Sequence, residues 1–179
     1  DDHIIESTVG ITRRIMPATK SPTNPVIWGD YPWEQGQPLL YGSVLKDEGK
    51  YRMWYYMPRG VCYAESKDGI AWTRPLMEQY PWEGQPSNIV AHLDGTPDGD
   101  IPFPYFYELF GVFRDDNEPD PQRRYKMGYL SIERKYEGSD RDVFHPSQRR
   151  GLGVAASPDG IHWTNLNSFA TYAIVDGSS

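Results

Sequence analysis

The chain is poor in the residues that several chemistries and architectures require. It holds one cysteine, Cys62, in 179 residues, so no intramolecular disulfide can form. Cys62 stands in an apolar run and reads as a small buried hydrophobe rather than a nucleophile. The four histidines, His3, His92, His145 and His162, are scattered and give no metal-ligand spacing. No apolar run approaches the length of a membrane span. Basic residues are outnumbered, 18 Lys and Arg against 25 Asp and Glu, for a net charge of −7. That balance argues against a phosphate-backbone partner, which calls for a basic face. The pairs Arg13-Arg14, Arg123-Arg124 and Arg149-Arg150 read as solvated surface. Few windows keep an apolar i, i+3, i+4, i+7 stripe free of Pro or Gly, which excludes a fold built on long amphipathic helices. No Ser-His-Asp set and no phosphate-cradling glycine loop can be assembled.

What the chain does have is aromatic residues and turn formers: six Trp, thirteen Tyr, sixteen Pro and seventeen Gly. That mixture suits many short strands joined by frequent turns, and the length suits one domain or part of a larger one. The expected class is all-β. An internal repeat sharpens it. Ser66-Lys67-Asp68-Gly69-Ile70-Ala71-Trp72-Thr73 returns as Ser157-Pro158-Asp159-Gly160-Ile161-His162-Trp163-Thr164, each copy after a small apolar run. Upstream, Lys50-Tyr51-Arg52-Met53-Trp54-Tyr55 matches Arg124-Tyr125-Lys126-Met127-Gly128-Tyr129, and Ser43-Val44-Leu45-Lys46-Asp47 matches Gly111-Val112-Phe113-Arg114-Asp115. Order is kept while the offset grows from 68 to 74 to 91 residues, so the second copy carries insertions in its connections, as stacked units tolerate. Each copy reads as four antiparallel strands, with Asp-Gly expected as a type I′ hairpin turn between the last two. Four such strands make a β-propeller blade. The blade-like units run roughly 39–80 and 105–175, inside a single partial domain covering 1–179.

These segments, from Tyr41-Gly42-Ser43-Val44-Leu45 through Tyr51-Arg52-Met53-Trp54-Tyr55 to Asp68-Gly69-Ile70-Ala71-Trp72, resemble the first blade of glycosidase-type propellers. Asn24-Pro25-Val26-Ile27 upstream and Ser87-Asn88-Ile89-Val90 downstream share the resemblance. The relatives are five-bladed β-propeller proteins related to glycoside hydrolase families 43, 32 and 130, many of them bacterial. The resemblance implies a partial five-bladed propeller, about two blades plus flanking strands. A full propeller of this kind needs a longer chain, and Thr171-Tyr172-Ala173-Ile174-Val175 followed by Asp176-Gly177-Ser178-Ser179 reads as a cut inside the fold. Two blades leave sheet faces open, and association with copies of the chain as a homo-oligomer is one way to complete the ring. The resemblance also implies a secreted or periplasmic location, with any leader upstream of Asp1-Asp2.

In the hydrolases that the chain resembles, acidic side chains point into a central funnel. One carboxyl donates a proton while another activates water or attacks. The family places its early acids some seven residues before the turn that joins the first two strands of a blade. Counting back from Asp115 reaches Glu108; counting back from Asp47 reaches Leu40, an apolar residue where the family has an acid. Glu108 is therefore the first candidate, against an outward strand residue or an ion-pair partner. For the first blade an acid must come from the preceding loop, where Asp30 and Glu34 lie. Tyr31-Pro32-Trp33-Glu34 is echoed by Tyr80-Pro81-Trp82-Glu83, which suits a packing wedge for Trp33-Glu34. Asp30 has no such counterpart. Trp33, Tyr105 and Tyr107 offer flat faces for sugar rings, against core packing. Asp68, Asp159 and Asp115 read as turn formers because they repeat. The tract His92-Leu93-Asp94-Gly95-Thr96-Pro97-Asp98-Gly99-Asp100 is rich in carboxylates but lacks the spacing of a calcium loop.

The expected function is glycoside hydrolysis by paired carboxylates, acting on an oligosaccharide or polysaccharide. The alternative is a non-catalytic carbohydrate-binding or assembly module, or an inactive propeller fragment. Neither reading calls for a metal, a cofactor, a nucleic acid or a membrane. Function sits in the site rather than the fold, so the carboxylates decide.

Overall fold

A computed structural model of the chain describes residues 7, 9–12, 14–36, 38–57, 60–92, 106–132 and 150–166, with the backbone alone described at 92, 106–108, 131, 132 and 150. These residues are all-β: apart from two short 3-10 turns at Pro32–Glu34 and Pro121–Arg123, the elements are strands. In chain order they are β1 (Leu39–Asp47), β2 (Lys50–Met57), β3 (Gly60–Ser66), β4 (Trp72–Thr73), β5 (Met77–Trp82), β6 (Gln85–Ser87), β7 (Ile89–His92), β8 (Phe106–Arg114), β9 (Tyr125–Ile132), β10 (Arg150–Ser157) and β11 (Thr164–Asn165). They form three antiparallel sheets: β1-β2-β3-β4 with β7 also on β3, then β8-β9-β10-β11, then the hairpin β5-β6. The two copies of the repeat are the two larger sheets. In the first, the outer edge of β3 is shared. Its Glu65 and Ser66 pair with Thr73 and Trp72 of β4, while Gly60, Val61 and Cys62 pair with β7. Tyr105, the stretch 133–149, the tract at 93–100 and the strand expected at 171–175 lie outside the described residues.

The turn chemistry differs from expectation. Type I′ turns, with positive φ at both central residues, fall at Glu48-Gly49 (φ 50° and 81°) and Glu83-Gly84 (φ 49° and 77°). At the two Asp-Gly sites only Gly69 (77°) and Gly160 (78°) have positive φ, inside the loops that join β3 to β4 and β10 to β11. Those loops are organised by side chains. Ser66 Oγ accepts from the Gly69 amide at 2.8 Å, Asp68 Oδ1 accepts from the Ile70 and Ala71 amides at 2.8 Å each, and Trp72 Nε1 donates to Gly69 O at 3.1 Å. Ser157, Asp159 and Trp163 repeat the arrangement on Gly160, Ile161 and His162. Burial works to raise the Asp159 carboxyl, but the His162 amide and ring and the Ile161 amide outweigh it and leave it at about 2. Both aspartates are turn formers, as their repetition implied.

Alternation along β2 sends Trp54 and Tyr56 to one face and Met53, Tyr55 and Met57 to the other. The first face meets the second sheet: Trp54, Val61 and Tyr63 form one core with Leu109, Val112, Met127, Tyr129 and Ala155. The other face meets the preceding loop and the small hairpin, where Met53, Tyr55, Cys62 and Ala64 pack with Trp33, Tyr80 and Ile89. Burial and the Glu34 charge push the Cys62 thiol well up, so it stays protonated and inert.

Across the first core, Trp54 Nε1 donates to Gly160 O at 2.6 Å and Arg52 donates to Asp159 O at 2.7 Å. The second Asp-Gly turn is thus gripped by the first sheet. A Cβ on Gly160 would stand 2.5 Å from Trp54 Cζ2, whereas one on Gly69 would meet nothing nearer than Tyr51 at 3.9 Å. Gly69→Ala is expected to cost about 1 kcal/mol, the left-handed penalty alone, and Gly160→Ala about 2–4 kcal/mol through added overpacking. Denaturant midpoints for the two variants check this, and equal losses would refute the grip.

Candidate functional site

Three of the residues singled out by sequence, Asp30, Trp33 and Glu34, come together on the outer face of the first sheet. The organiser is Arg74, one residue beyond β4. Its guanidinium donates to Glu34 Oε2 at 2.9 Å and Oε1 at 3.1 Å, to Asp30 Oδ2 at 2.7 Å and to Trp28 O at 2.9 Å. It lies 4.3 Å over the Tyr31 ring, which in turn stacks on Trp33 at 4.5 Å with 15° between the planes. Pro32 starts the 3-10 turn that brings Glu34 back to accept from the Tyr31 amide at 3.1 Å. Behind this stack, Tyr55 donates to Glu34 Oε1 at 2.5 Å, Asn88 donates to the Tyr55 hydroxyl at 2.8 Å and to Tyr63 O at 2.9 Å, and Trp33 Nε1 donates to Asn88 Oδ1 at 2.8 Å.

The electrostatics follow from burial. Glu34 has no accessible surface and Trp33 has 5%, so Glu34 requires the charge and hydrogen bonds that surround it. Burial works against the Arg74 cation, but Asp30 and Glu34 outweigh it and raise its pKa further. Burial, with Cys62 and Glu34 adding to it, pushes the Tyr55 hydroxyl well above its ordinary value, so it remains a donor. The Asp30 side chain is 63% exposed. A carboxylate with no accessible surface and both oxygens occupied cannot reach a glycosidic oxygen. Glu34 and Asp30 hold one arginine between them and pin the 28–34 loop to the sheet, while Trp33 is part of the core.

Glu108 lies on β8 of the second sheet, its backbone paired with Leu130. Its side chain and that of Tyr107 lie outside the described residues, as does all of Tyr105. Leu40, where the family pattern has an acid, is 61% exposed on β1.

A cavity of about 510 Å³ opens beside the clamp, lined by Lys20, Asn24, Pro25, Val26, Ile27, Pro38, Leu39, Leu40, Met53 and Tyr55. It contains the Asn24-Pro25-Val26-Ile27 stretch and shares Tyr55 with the clamp. Its walls are apolar, with Lys20 and Asn24 as polar groups, and its size falls in the range of small-ligand sites.

A second polar centre ties the sheets together. Asp47, 4% exposed at the end of β1, takes Arg114 on one carboxyl oxygen and the Tyr125 hydroxyl on the other, with Arg52 Nε at 3.0 Å. Burial raises the Asp47 carboxyl, yet Tyr125, Arg52 and Arg114 hold it below its ordinary value. Its repeat partner Asp115 instead accepts from the Asn117 amide at 3.1 Å, a local turn. Read by repetition, both are turn residues; only Asp47 has recruited the neighbouring sheet.

Arg74 and Asn88 escape a search for acids, yet one signal marks Arg74. The repeat runs Trp72-Thr73-Arg74 against Trp163-Thr164-Asn165, and Asn165 accepts from Tyr129, the counterpart of Tyr55, at 2.9 Å. Where the second unit bonds this position to the tyrosine directly, the first inserts Glu34 between them. A non-repeating cation beside the non-repeating Asp30 is thus a readable pair. No family model matches the chain, and no curated protein matches it.

Proposed function

We propose that the two larger sheets are blades of a β-propeller resembling the five-bladed glycosidase-like proteins, and that this part of the protein recognises carbohydrate without cleaving it through the 28–34 loop. The observation that carries the reading is that Asp30 and Glu34 converge on Arg74, and that Glu34 in turn holds the hydroxyl of Tyr55, whose side chain lines the 510 Å³ cavity. Two carboxylates neutralised by one arginine give a rigid frame, not an acid and base poised across a scissile bond. Apolar walls for the flat face of a sugar, with Lys20 and Asn24 to hydrogen-bond its hydroxyls, suit an oligosaccharide end. A secreted or periplasmic setting, where polysaccharide is met, accords with this reading. Hydrolysis survives as a second reading through Glu108, the acid whose position breaks the repeat.

Glycan-array binding followed by calorimetry tests both. Retained oligosaccharides are expected to lose about tenfold or more in affinity in Asn24→Ala or Lys20→Ala, as for loss of a hydrogen bond to a ligand, and to be released unchanged. Binding that ignores both substitutions would sink the cavity as the site. Turnover that disappears in Glu108→Gln would replace recognition by hydrolysis.

A further inference from the structure

Five of the six tryptophans serve the cores. Trp54 and Trp163 lie in one, Trp33 lies in the other, and Trp72 and Trp82 pack against the latter. Trp28 is the exception. It is 64% exposed, and among the described residues its ring stacks on nothing and its Nε1 bonds nothing. Its backbone, in contrast, is firmly held. The Arg74 guanidinium that binds Asp30 and Glu34 also donates to the Trp28 carbonyl at 2.9 Å. The next residue, Gly29, lies against Gly36: a Cβ on Gly29 would stand 2.4 Å from Gly36 Cα, so only glycine lets the two ends of the loop touch. The residue before it, Ile27, lines the 510 Å³ cavity. A bare indole on a fixed backbone suits ligand binding, because it offers a large flat contact and leaves little else to be ordered when a ligand arrives.

We propose that Trp28 is a stacking platform for a further sugar of a chain whose end occupies the cavity. The inference rests on the reading of the cavity as a carbohydrate site and extends it from one sugar to several. The face of the indole carries negative quadrupole charge. It therefore suits a pyranose whose hydroxyls are equatorial and whose axial C–H bonds cover the flat of the ring, while the indole N–H at the edge can donate to a hydroxyl. The ligand class is a β-linked chain of glucose- or xylose-type sugars rather than a single sugar. Consecutive Cα atoms stand about 3.8 Å apart, so a chain that touches Ile27 in the cavity need extend by no more than a sugar or two to meet Trp28.

Calorimetry and acrylamide quenching of tryptophan fluorescence, with cellotriose, xylotriose and their monomers glucose and xylose as probes, test the platform. In the wild type at least one trisaccharide is expected to bind about tenfold or more tightly than its monomer and to shield tryptophan from the quencher. In Trp28→Ala that advantage should vanish while the affinity for the monomer is unchanged, as for loss of an aromatic anchor. Trp28→Phe should lose the readily quenched fluorescence before any sugar is added. Unfolding midpoints of both variants should match the wild type, since the ring lies outside the cores. A trisaccharide that binds Trp28→Ala as tightly as the wild type, yet loses affinity in Lys20→Ala, overturns the platform and leaves the cavity standing. A trisaccharide that binds no better than its monomer overturns it too. If none of the four sugars binds the wild type, the platform and the carbohydrate reading fall together.

Discussion

Asp47→Asn is expected to lower the unfolding free energy by about 3–5 kcal/mol, the cost of removing one partner from a buried ionic cluster. Asp47 is 4% exposed and has three partners from both sheets: the Arg52 cation on its own, as an ion pair, and the donors Arg114 and Tyr125 on the other. Asparagine nearly preserves the shape but removes the charge and turns an N–H₂ group toward donors. Arg52 is then left buried with the 68% exposed Glu48 as its remaining carboxylate, a screened and weak partner. Urea unfolding followed by tryptophan fluorescence measures the loss. A change below about 1 kcal/mol would mean that the cluster is no more than a surface ion pair.

The same residue sets an acid limit. The folded-state pKa of Asp47 lies below its ordinary value. Its contribution is therefore fully present above the unfolded carboxylate pKa of about 3.9 and is lost as pH falls through the lower folded value. The difference between the wild type and Asp47→Asn should stay flat through neutral pH and begin to shrink only below about pH 4. A difference that shrinks as pH rises from neutral would place the effect on another group.

Much of this fold is written locally and little of the site is. The strand alternation in Met53-Trp54-Tyr55-Tyr56, the Ser-x-Asp-Gly loops and their following tryptophans all act over a few residues, so repetition exposes them. The role of Asp68 and Asp159 is legible for the same reason, since their oxygens bond amides two and three residues on. The turn type was not legible, because Asp-Gly is compatible both with a type I′ hairpin and with a longer loop closed by Ser66. The Arg74 clamp joins residues 40 to 46 positions apart, and Asp47 meets Arg114 and Tyr125 across 67 and 78 positions. Such partners become visible only once the sheets have docked. Glu34 shows the consequence: in sequence it is an acid in a loop beside an aromatic residue, and in the fold it is the buried anion that fixes that loop.

Trp54→Ala is expected to cost about 3–5 kcal/mol, the range for truncating a large buried aromatic, and to loosen the two sheets from each other. The ring has no accessible surface, stands 5.5 Å from Tyr63 and 6.2 Å from Tyr125, and donates Nε1–H to Gly160 O at 2.6 Å. Two contributions can be separated. Trp54→Phe keeps most of the ring volume and removes the donor. Gly160 O is not orphaned by that change, because Trp163 Nε1 still donates to it at 3.1 Å. The phenylalanine variant should therefore lose only about 1 kcal/mol, the net value of a hydrogen bond whose acceptor stays satisfied. The remainder belongs to packing, which the alanine variant forfeits on both sheets at once. Hydrogen exchange locates the loss: amides of β9 and β10 should exchange faster in Trp54→Ala although the substitution lies on β2. If faster exchange were confined to β1, β2 and β3, the second sheet would hold its structure without the first, and the core between them would not be the source of their common stability.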